Sequence, residues 1–400
     1  MSDAPACAGF RFAGIVAGIK SNGRPDLGLV VADEDVATAA VFTRNQVRAA
    51  PVTLSEAHVK SGVARAIIVN SGNANAATGT KGEDDAATMV ERCAASVGCK
   101  PKRVLVASTG IIGRPLPIDR IVDHTAPLFA AARPDGLDDF QHAIMTTDRF
   151  EKRALQQFAA GSKTEARVIG VAKGAGMIAP NMATTLAFLF TDAAVDKRFL
   201  RDVLREEIDS TFNCISVDGD TSTNDSVFLM ASGAAKNKLI TSDGGGGKGE
   251  RFRIAVRTVL DSLSRAIVRD GEGAQHVITI EVQGAPSEDD ARTVARAIAH
   301  SPLCKTAFFG ADPNWGRILS TIGNCGLDID HGKIDIALGE VEIVRNSVGL
   351  GDDAEKGAHD VMRREEYTIR IHLHGGRGKA HHVTCDLGHD YVKLNADYRS

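Results

Sequence analysis

The 400-residue sequence has no long apolar run, no block of like charge and no paired-cysteine motif. Its longest apolar stretches, such as 184–190, fall far short of the roughly 20 residues needed to cross a bilayer, so no membrane span is expected. Basic and acidic residues nearly balance, 47 against 51, for a formal net charge of −4, and no Lys/Arg run marks a nucleic-acid footprint. The beginning, MSDAPACAGFRFAG, lacks a basic segment followed by a long apolar one, so no secretory signal is expected. Seven cysteines lie scattered at 7, 93, 99, 214, 304, 325 and 385, odd in number and without a Cys-x-x-Cys pair, which suits reduced thiols in a cytoplasm. The glycine-rich TSDGGGGK (241–248) lacks the phosphate-loop frame, since Gly249 follows Lys248, and reads as a surface loop. SVDGDTSTND (216–225) lacks calcium-loop spacing and its terminal Glu, and is expected to shape a site entrance or an interface. His372, His374, His381, His382 and His389 come without a His-Glu-x-x-His pattern, so they are expected to face solvent or to be structurally satisfied, and no metal is expected.

What is present is a mixed pattern of short apolar strands and amphipathic helices in a chain 43% hydrophobic, long enough for two or more lobes. Strands are expected within 10–43, then at 64–70 (ARAIIVN), 103–108 (RVLVAS), 166–173 (ARVIGVAK), 184–191, 226–232, 277–284, 333–338, 367–373 and 380–386. Helices are expected at 55–61, capped by Ser55, and at 84–97, 118–133, 196–213, 250–269, 287–300 and 353–363. The fold class is therefore α/β.

The chain is organised around 173–191. Its first half is small and glycine-rich, with Gly174, Gly176 and Pro180; its second half, TLAFLFT, has the composition of a buried strand. Thr184 stands where loop becomes strand, after the small Ala183. A threonine hydroxyl is a weak nucleophile unless a base takes its proton, and its own α-amine, with a pKa of about 7.7–8.0, can be that base. A peptide nitrogen cannot, so the chain must first be cut between Ala183 and Thr184. The Thr184 hydroxyl can make that cut by attacking the Ala183 carbonyl, moving the acyl group from N to O for water to hydrolyse. The alternative is a plain strand threonine, common because threonine is β-branched. Likewise Thr109-Gly110, just past a strand end, is either an ordinary turn or a hydroxyl and an open N–H for an oxyanion. Lys173 is either a solvated strand end or a cation for a substrate carboxylate.

KGAGMIAPNMATTLAFLFTDA (173–193) resembles the signature of the glutamate N-acetyltransferase family, also called ornithine acetyltransferase. SNGRPDLGLV (21–30), ASTGIIG (107–113), TTD (146–148), SVDGDTSTND (216–225), DGEGA (270–274), GADPNWGRI (310–318) and YVKLNADYRS (391–400) resemble family segments in the same order, so the likeness runs nearly end to end. It implies a layered αββα architecture and a precursor that cuts itself into an α chain (1–183) and a β chain (184–400), which stay associated as a heterotetramer of two of each. It implies acetyl transfer from N-acetylornithine to glutamate through an acetyl ester on Thr184, with no cofactor and with acetyl-CoA left open as a second donor. Thr109 and Gly110 become the oxyanion pair. Thr147 (with Thr146 not separable from it), Lys173, Thr184, Glu272, Asn395 and Ser400 become substrate contacts, while Asn314, Trp315 and Gly316 are read as structural.

Three positions depart from the family form: Ala175 where Ser is frequent, Gln275-His276 where Thr-Lys is usual, and Ser400 where Thr is usual. None touches the nucleophile or the oxyanion pair. Two rivals remain, a self-processing aminopeptidase in which water takes the acyl group, and a non-catalytic amino-acid- or nucleotide-binding protein with an intact chain, against which the missing phosphate-loop frame counts.

Overall fold

A computed structural model describes residues 7–179, 185–242 and 246–397. In chain order these form β1 (Phe10–Ile15), β2 (Leu27–Phe42), α1 (Ala50–Val59), β3 (Val63–Asn73), α2 (Gly79–Val97), β4 (Val104–Ile111), α3 (Ile118–Ala130), α4 (Leu137–Ile144), β5 (Lys152–Ala159) and β6 (Glu165–Lys173). There follow β7 (Leu186–Thr191), α5 (Lys197–Ser210), β8 (Ile215–Ser216), β9 (Ser226–Ala231), α6 (Lys248–Arg269), β10 (Val277–Ala285), α7 (Glu288–His300), α8 (Pro302–Phe309) and α9 (Trp315–Gly323). The remainder is β11 (Asp335–Leu338), β12 (Val341–Arg345), β13 (Val348–Gly349), α10 (Asp352–Met362), β14 (Glu366–His372), β15 (Gly378–Cys385) and α11 (His389–Asp397).

Side-chain alternation along the strands builds the first lobe. Leu27, Leu29 and Val31 of β2, Ala66 and Ile68 of β3, and Val104 and Val106 of β4 pack with Met89, Cys93, Ile121 and Leu128 of α2 and α3. Their neighbours one residue on, Val30, Ile67, Val69 and Leu105, point the other way and meet Ile169, Val171, Phe188, Phe190 and Phe228 from β6, β7 and β9. The opposite faces of those strands, Val168, Leu189 and Leu229, pack on Leu204 of α5 and Val259 of α6. Three successive cores mean four layers, α–β–β–α, as the resemblance implied. The central core is aromatic: Phe188 stacks on Phe228 with ring centroids 5.3 Å apart, and Phe12 meets Phe190 edge-on at 5.0 Å.

The strand order β4-β3-β2-β9-β7-β6-β5, with β1 also on β2, is continuous because β2 serves both sheet layers. Its first half pairs with β1 and β3, its second with β9, and the ladder shifts register between Val31 and Val36. The exposed Asp33, Glu34 and Asp35 occupy that bend.

The second lobe is a sheet in the order β13-β12-β11-β14-β10-β15-β8, packed on α7, α8, α9 and α10. Trp315 belongs to this packing and donates its indole N–H to Glu355 at 3.0 Å, while the Asn314 side chain caps α9, a structural role as expected. Val277, Val383 and Cys385 join the α6 core, tying the two lobes together.

Two expectations need correction. The helix expected at 55–61 starts earlier, at Ala50, so Ser55 does not cap it. Its buried hydroxyl instead donates to the Val106 carbonyl at 2.6 Å and accepts from the Val106 N–H at 2.7 Å, fastening α1 to β4. Nor do all the late histidines face solvent or find a partner. His382 is buried, 5.7 Å from the His300 ring, and the Nε2 atoms of both lack a hydrogen-bond partner among the described residues. Burial holds both imidazoles neutral, His300 down to about 4.

Candidate active site

The two sheet layers and the second lobe converge at one cavity of about 210 Å³. Layer one contributes Thr109 and Gly110 from the end of β4. Layer two contributes Lys173 from the last residue of β6 and Leu186 from the first of β7, which face each other across the ladder. The turn between α6 and β10 contributes Glu272, and α11 contributes Asn395. Thr146 and Thr147 both line the wall, so the choice between them stays as the sequence left it. Ala183, Thr184 and Ser400 lie outside the described residues; Thr185, which follows Thr184 directly, is in the cavity wall.

Backbone shape at two glycines makes this convergence possible. Gly110 has φ +133, and a Cβ there would sit 2.3 Å from the carbonyl carbon of Gly72 on the neighbouring strand. Gly176 lets the glycine-rich loop lie against Glu272, since a Cβ would fall 2.5 Å from Glu272 Oε2. The loop is bent further at Met177, whose φ of 58 is unusual for a residue with a side chain. Asp218 holds that bend, accepting from the Met177 N–H at 2.6 Å and the Ile178 N–H at 2.8 Å. The Thr185 hydroxyl donates to the Lys173 carbonyl, closing the loop at its other end.

The polar groups are tied to each other. Lys173 Nζ donates to Thr109 Oγ1 at 3.2 Å, and the Asn395 amide donates to Glu272 Oε2 at 2.9 Å. The Glu272 N–H donates to the Ala175 carbonyl at 2.9 Å, which ties the carboxylate turn to the glycine loop. Burial lowers the Lys173 pKa, with nearby Asp148, Asp225 and Glu272 opposing that and Lys152 adding to it. The buried Asp225 carboxyl is pushed well up by desolvation, and its Oδ2 has no hydrogen-bond partner among the described residues. The cavity therefore offers an amine, carboxyl groups and several hydroxyls within one amino-acid-sized space.

Several of these groups were not singled out from the sequence. Asp148, Lys152 and Asp270 form a buried ion cluster behind the cavity, with Lys152 Nζ 2.6 Å from both Asp148 Oδ1 and Asp270 Oδ2. Asp148 also takes the Gly174 N–H at 2.8 Å and the Thr146 N–H at 2.9 Å. Arg149 Nε adds a bond to Asp270 Oδ1 at 3.0 Å. Asp148 and Asp270 end and begin the TTD and DGEGA strings, so a signal existed for them; Lys152 carried none. The polar segment 218–225 contributes Asp218, Asp225 and hydroxyls between them to the cavity wall, the first of the two roles expected for it.

Among the described residues no group of three or more His, Cys, Asp and Glu side chains is arranged to hold a metal ion, and no helix is long and apolar enough to cross a membrane.

The ArgJ family model matches residues 11–400. The arginine biosynthesis bifunctional protein ArgJ of Geobacter sulfurreducens is 47% identical over 392 residues, covering 98% of this chain and 99% of the relative. That of Methylococcus capsulatus is 47% identical over 403 residues, covering 100% and 98%. Among solved structures, a chain of the arginine biosynthesis bifunctional protein ArgJ from Bacillus halodurans matches at 40% identity with a TM-score of 0.51, covering 53% of this chain and 98% of its own length.

Proposed function

The chain belongs to the ArgJ family, and from that premise we propose that it moves the acetyl group of N-acetylornithine to glutamate through an ester on Thr184. It is an acyltransferase of arginine biosynthesis. The observation that carries it is the convergence of Thr109, Gly110, Thr147, Lys173, Glu272 and Asn395, drawn from remote parts of the chain, around one cavity whose wall includes the residue after Thr184.

The precursor is cut between Ala183 and Thr184, giving an α chain of 1–183 and a β chain of 184–400. The sheet order supports their staying together. β7 and β9, from the β chain, lie between β2 and β6, from the α chain, so the cut pieces share ladders on both sides. The Bacillus halodurans chain, matched over 98% of itself yet only 53% of this one, has about the length such a piece would have. Two cut pairs would assemble as the heterotetramer that the resemblance implies, in the cytoplasm.

After the cut, the Thr184 α-amine takes the proton of its own hydroxyl, and the oxygen attacks the acetyl carbonyl. The Thr109 hydroxyl and Gly110 N–H receive the oxyanion. The tetrahedral intermediate collapses as the α-ammonium returns its proton to the departing ornithine amine. Glutamate then attacks the ester with its amine and regenerates the free hydroxyl. Amide is exchanged for amide, so the step is nearly isoenergetic and needs no cofactor. Lys173 suits the substrate α-carboxylate, and Glu272 the ornithine side-chain ammonium.

The direct test is denaturing mass spectrometry of the purified protein joined to an assay of acetyl transfer from N-acetylornithine to glutamate. Two masses, one beginning at Thr184, and transfer exceeding hydrolysis are expected; an intact, inactive chain would end the proposal. Hydrolysis without transfer would favour the aminopeptidase alternative.

Two substitutions test individual roles. Thr109→Val keeps the β-branched shape and removes the hydroxyl, and is expected to lower kcat about 10²–10³-fold, the range seen when one oxyanion donor is lost. An unchanged kcat would remove Thr109 from the oxyanion site. Glu272→Gln keeps the Asn395 contact but removes the charge. The lost charge-assisted bond, about 1.5–3 kcal/mol, should raise KM for N-acetylornithine roughly 10- to 100-fold and that for glutamate much less. Equal effects on both substrates would mean that Glu272 is only a turn carboxylate.

A further inference from the structure

No residue of SNGRPDLGLV (21–30) lines the cavity, yet the segment is tightly built. Asp26 is fully buried and spends its carboxylate on backbone, Oδ1 taking the Ala17 N–H at 2.6 Å and Oδ2 the Lys20 N–H at 2.8 Å. Its own N–H goes to the Ile15 carbonyl at 2.9 Å, and its carbonyl takes the Ser71 N–H at 2.9 Å. The loop between β1 and β2 is thereby folded back on the end of β3. What it presents there is Lys20.

Lys20 is half-buried, and no carboxylate forms an ion pair with it among the described residues. Its Nζ donates to two carbonyls instead, that of Pro25 at 2.7 Å in its own loop and that of Met145, 125 residues away, at 2.6 Å. Ordering a long side chain and desolvating its amine costs free energy that two neutral carbonyls offset less well than a carboxylate would. Packing alone would not select a lysine here. Burial brings its pKa down to about 8, with Asp26 opposing. Ammonium and neutral amine both carry at least two N–H groups, so both bonds survive the titration.

The two ends of this lysine reach opposite sides of the active site. Met145 follows α4 directly and precedes Thr146 and Thr147 of the cavity wall. The Lys20 stem lies on Gly72, where φ is +96 and a Cβ would fall 2.9 Å from Lys20 Cγ. Ser71 and Gly72 are the β3 residues across the ladder from Thr109 and Gly110. Ser71 makes a tie of the same kind, its hydroxyl donating at 2.5 Å to the Ala143 carbonyl near the end of α4. The two residues opposite the oxyanion pair thus connect, one directly and one through Lys20, to the turn that leads into Thr146 and Thr147. Such ties fix the gap between the oxyanion donors and the substrate wall, and acyl transfer is sensitive to small errors in that gap.

We propose that Lys20 is a positioning residue for acetyl transfer, setting the spacing between Thr109-Gly110 and the wall at Thr146-Thr147. It touches no reacting atom. It acts through Gly72 on one side and the Met145 carbonyl on the other. The role rests on the acetyl-transfer reading, although the ties themselves do not.

The experiment is a double-mutant cycle on acetyl transfer with Lys20→Met and Thr109→Val, each variant checked for the cut by mass spectrometry and for its fold by the thermal midpoint. Methionine keeps much of the stem on Gly72 and loses both carbonyl bonds. Lys20→Met is expected to lower kcat about 10²-fold, the scale of a misplacement of about 1 Å, and to move KM less, since Lys173 and Glu272 stand on other walls. In the Thr109→Val background the same change should lower kcat less than about threefold, because the donor it would misplace is already gone. Lys20→Arg, whose guanidinium offers N–H groups to both carbonyls, should restore kcat to within about tenfold of native. If Lys20→Met stays uncut, Lys20→Gln takes its place in the cycle, with a polar head too short to hold both carbonyls. An unchanged kcat, a loss equal in both backgrounds or a loss confined to KM would each overturn the proposal, as would a cut Lys20→Arg no faster than Lys20→Met. A native protein that cuts itself but transfers nothing overturns the acetyl-transfer reading and this role with it. An active native protein matched by Lys20→Met overturns this role alone.

Discussion

Thr184→Ala is expected to leave one 400-residue polypeptide with no measurable acetyl transfer. Two functions are lost at once, because the hydroxyl that cuts the chain is the one that later carries the acetyl group. Without it nothing attacks the Ala183 carbonyl, the nitrogen of residue 184 stays a peptide nitrogen, and no base appears. The fold should survive. The methyl side chain is smaller, and the ladder β6–β7 starts at Lys173↔Leu186, beyond the substituted residue. The informative partner is Thr184→Ser, which keeps hydroxyl and amine and is expected to cut and to retain part of the activity. Mass spectrometry reads the cut and the transfer assay reads the chemistry. If Thr184→Ala were found cut and active, both roles would belong to another residue. A cut but inactive Thr184→Ala would separate them, leaving Thr184 the acyl acceptor and assigning the cut elsewhere.

The site was legible where chemistry restricts residue type. Thr109, Lys173, Glu272 and Asn395 stood in short strings whose order resembled a family, and all four line the cavity. The polar run 216–225 left a site entrance and an interface both open, and Asp218 and Asp225 line the cavity. The αββα layering was legible through the resemblance rather than through periodicity, because alternation along a strand does not say which second sheet it will meet. Ser55 was misread because a hydroxyl ahead of an apolar stretch resembles a helix cap, whereas its partner, Val106, lies 51 residues away. Lys152 was invisible for the same reason. KRALQQFA alternates like a half-exposed strand, and only the tertiary fold brings Asp270, 118 residues on, to its ammonium.

That lysine supports the second large effect. Lys152→Met is expected to destabilise the folded protein at pH 7 by about 3–5 kcal/mol, a large part of the 5–15 kcal/mol typical of folded domains. Methionine fills a similar volume, so the loss is electrostatic. Lys152 is fully buried between two carboxylates whose side chains are also fully buried, and its removal leaves them facing each other. The pH dependence separates this from a packing defect. In the native protein burial alone would raise the Asp148 pKa, but Lys173, Lys152 and the Gly174 N–H outweigh it and hold the carboxyl down to about 2. A carboxyl held below its unfolded value contributes stability that is present above about pH 4 and lost as pH falls towards 2. In the variant the balance reverses. One carboxyl of the pair rises above its unfolded value, so lowering pH from 7 to 5 lets it take a proton and restores part of the lost stability. Urea unfolding at both pH values tests this, with the difference between variant and native protein expected to shrink at pH 5. A difference that stays constant would make the defect steric, and no difference at pH 7 would mean that the cluster contributes nothing net. Because Asp148 holds the Gly174 N–H and Asp270 begins the Glu272 turn, the same variant should lose acetyl transfer before it loses its fold: the cluster anchors both walls between which the substrate must lie.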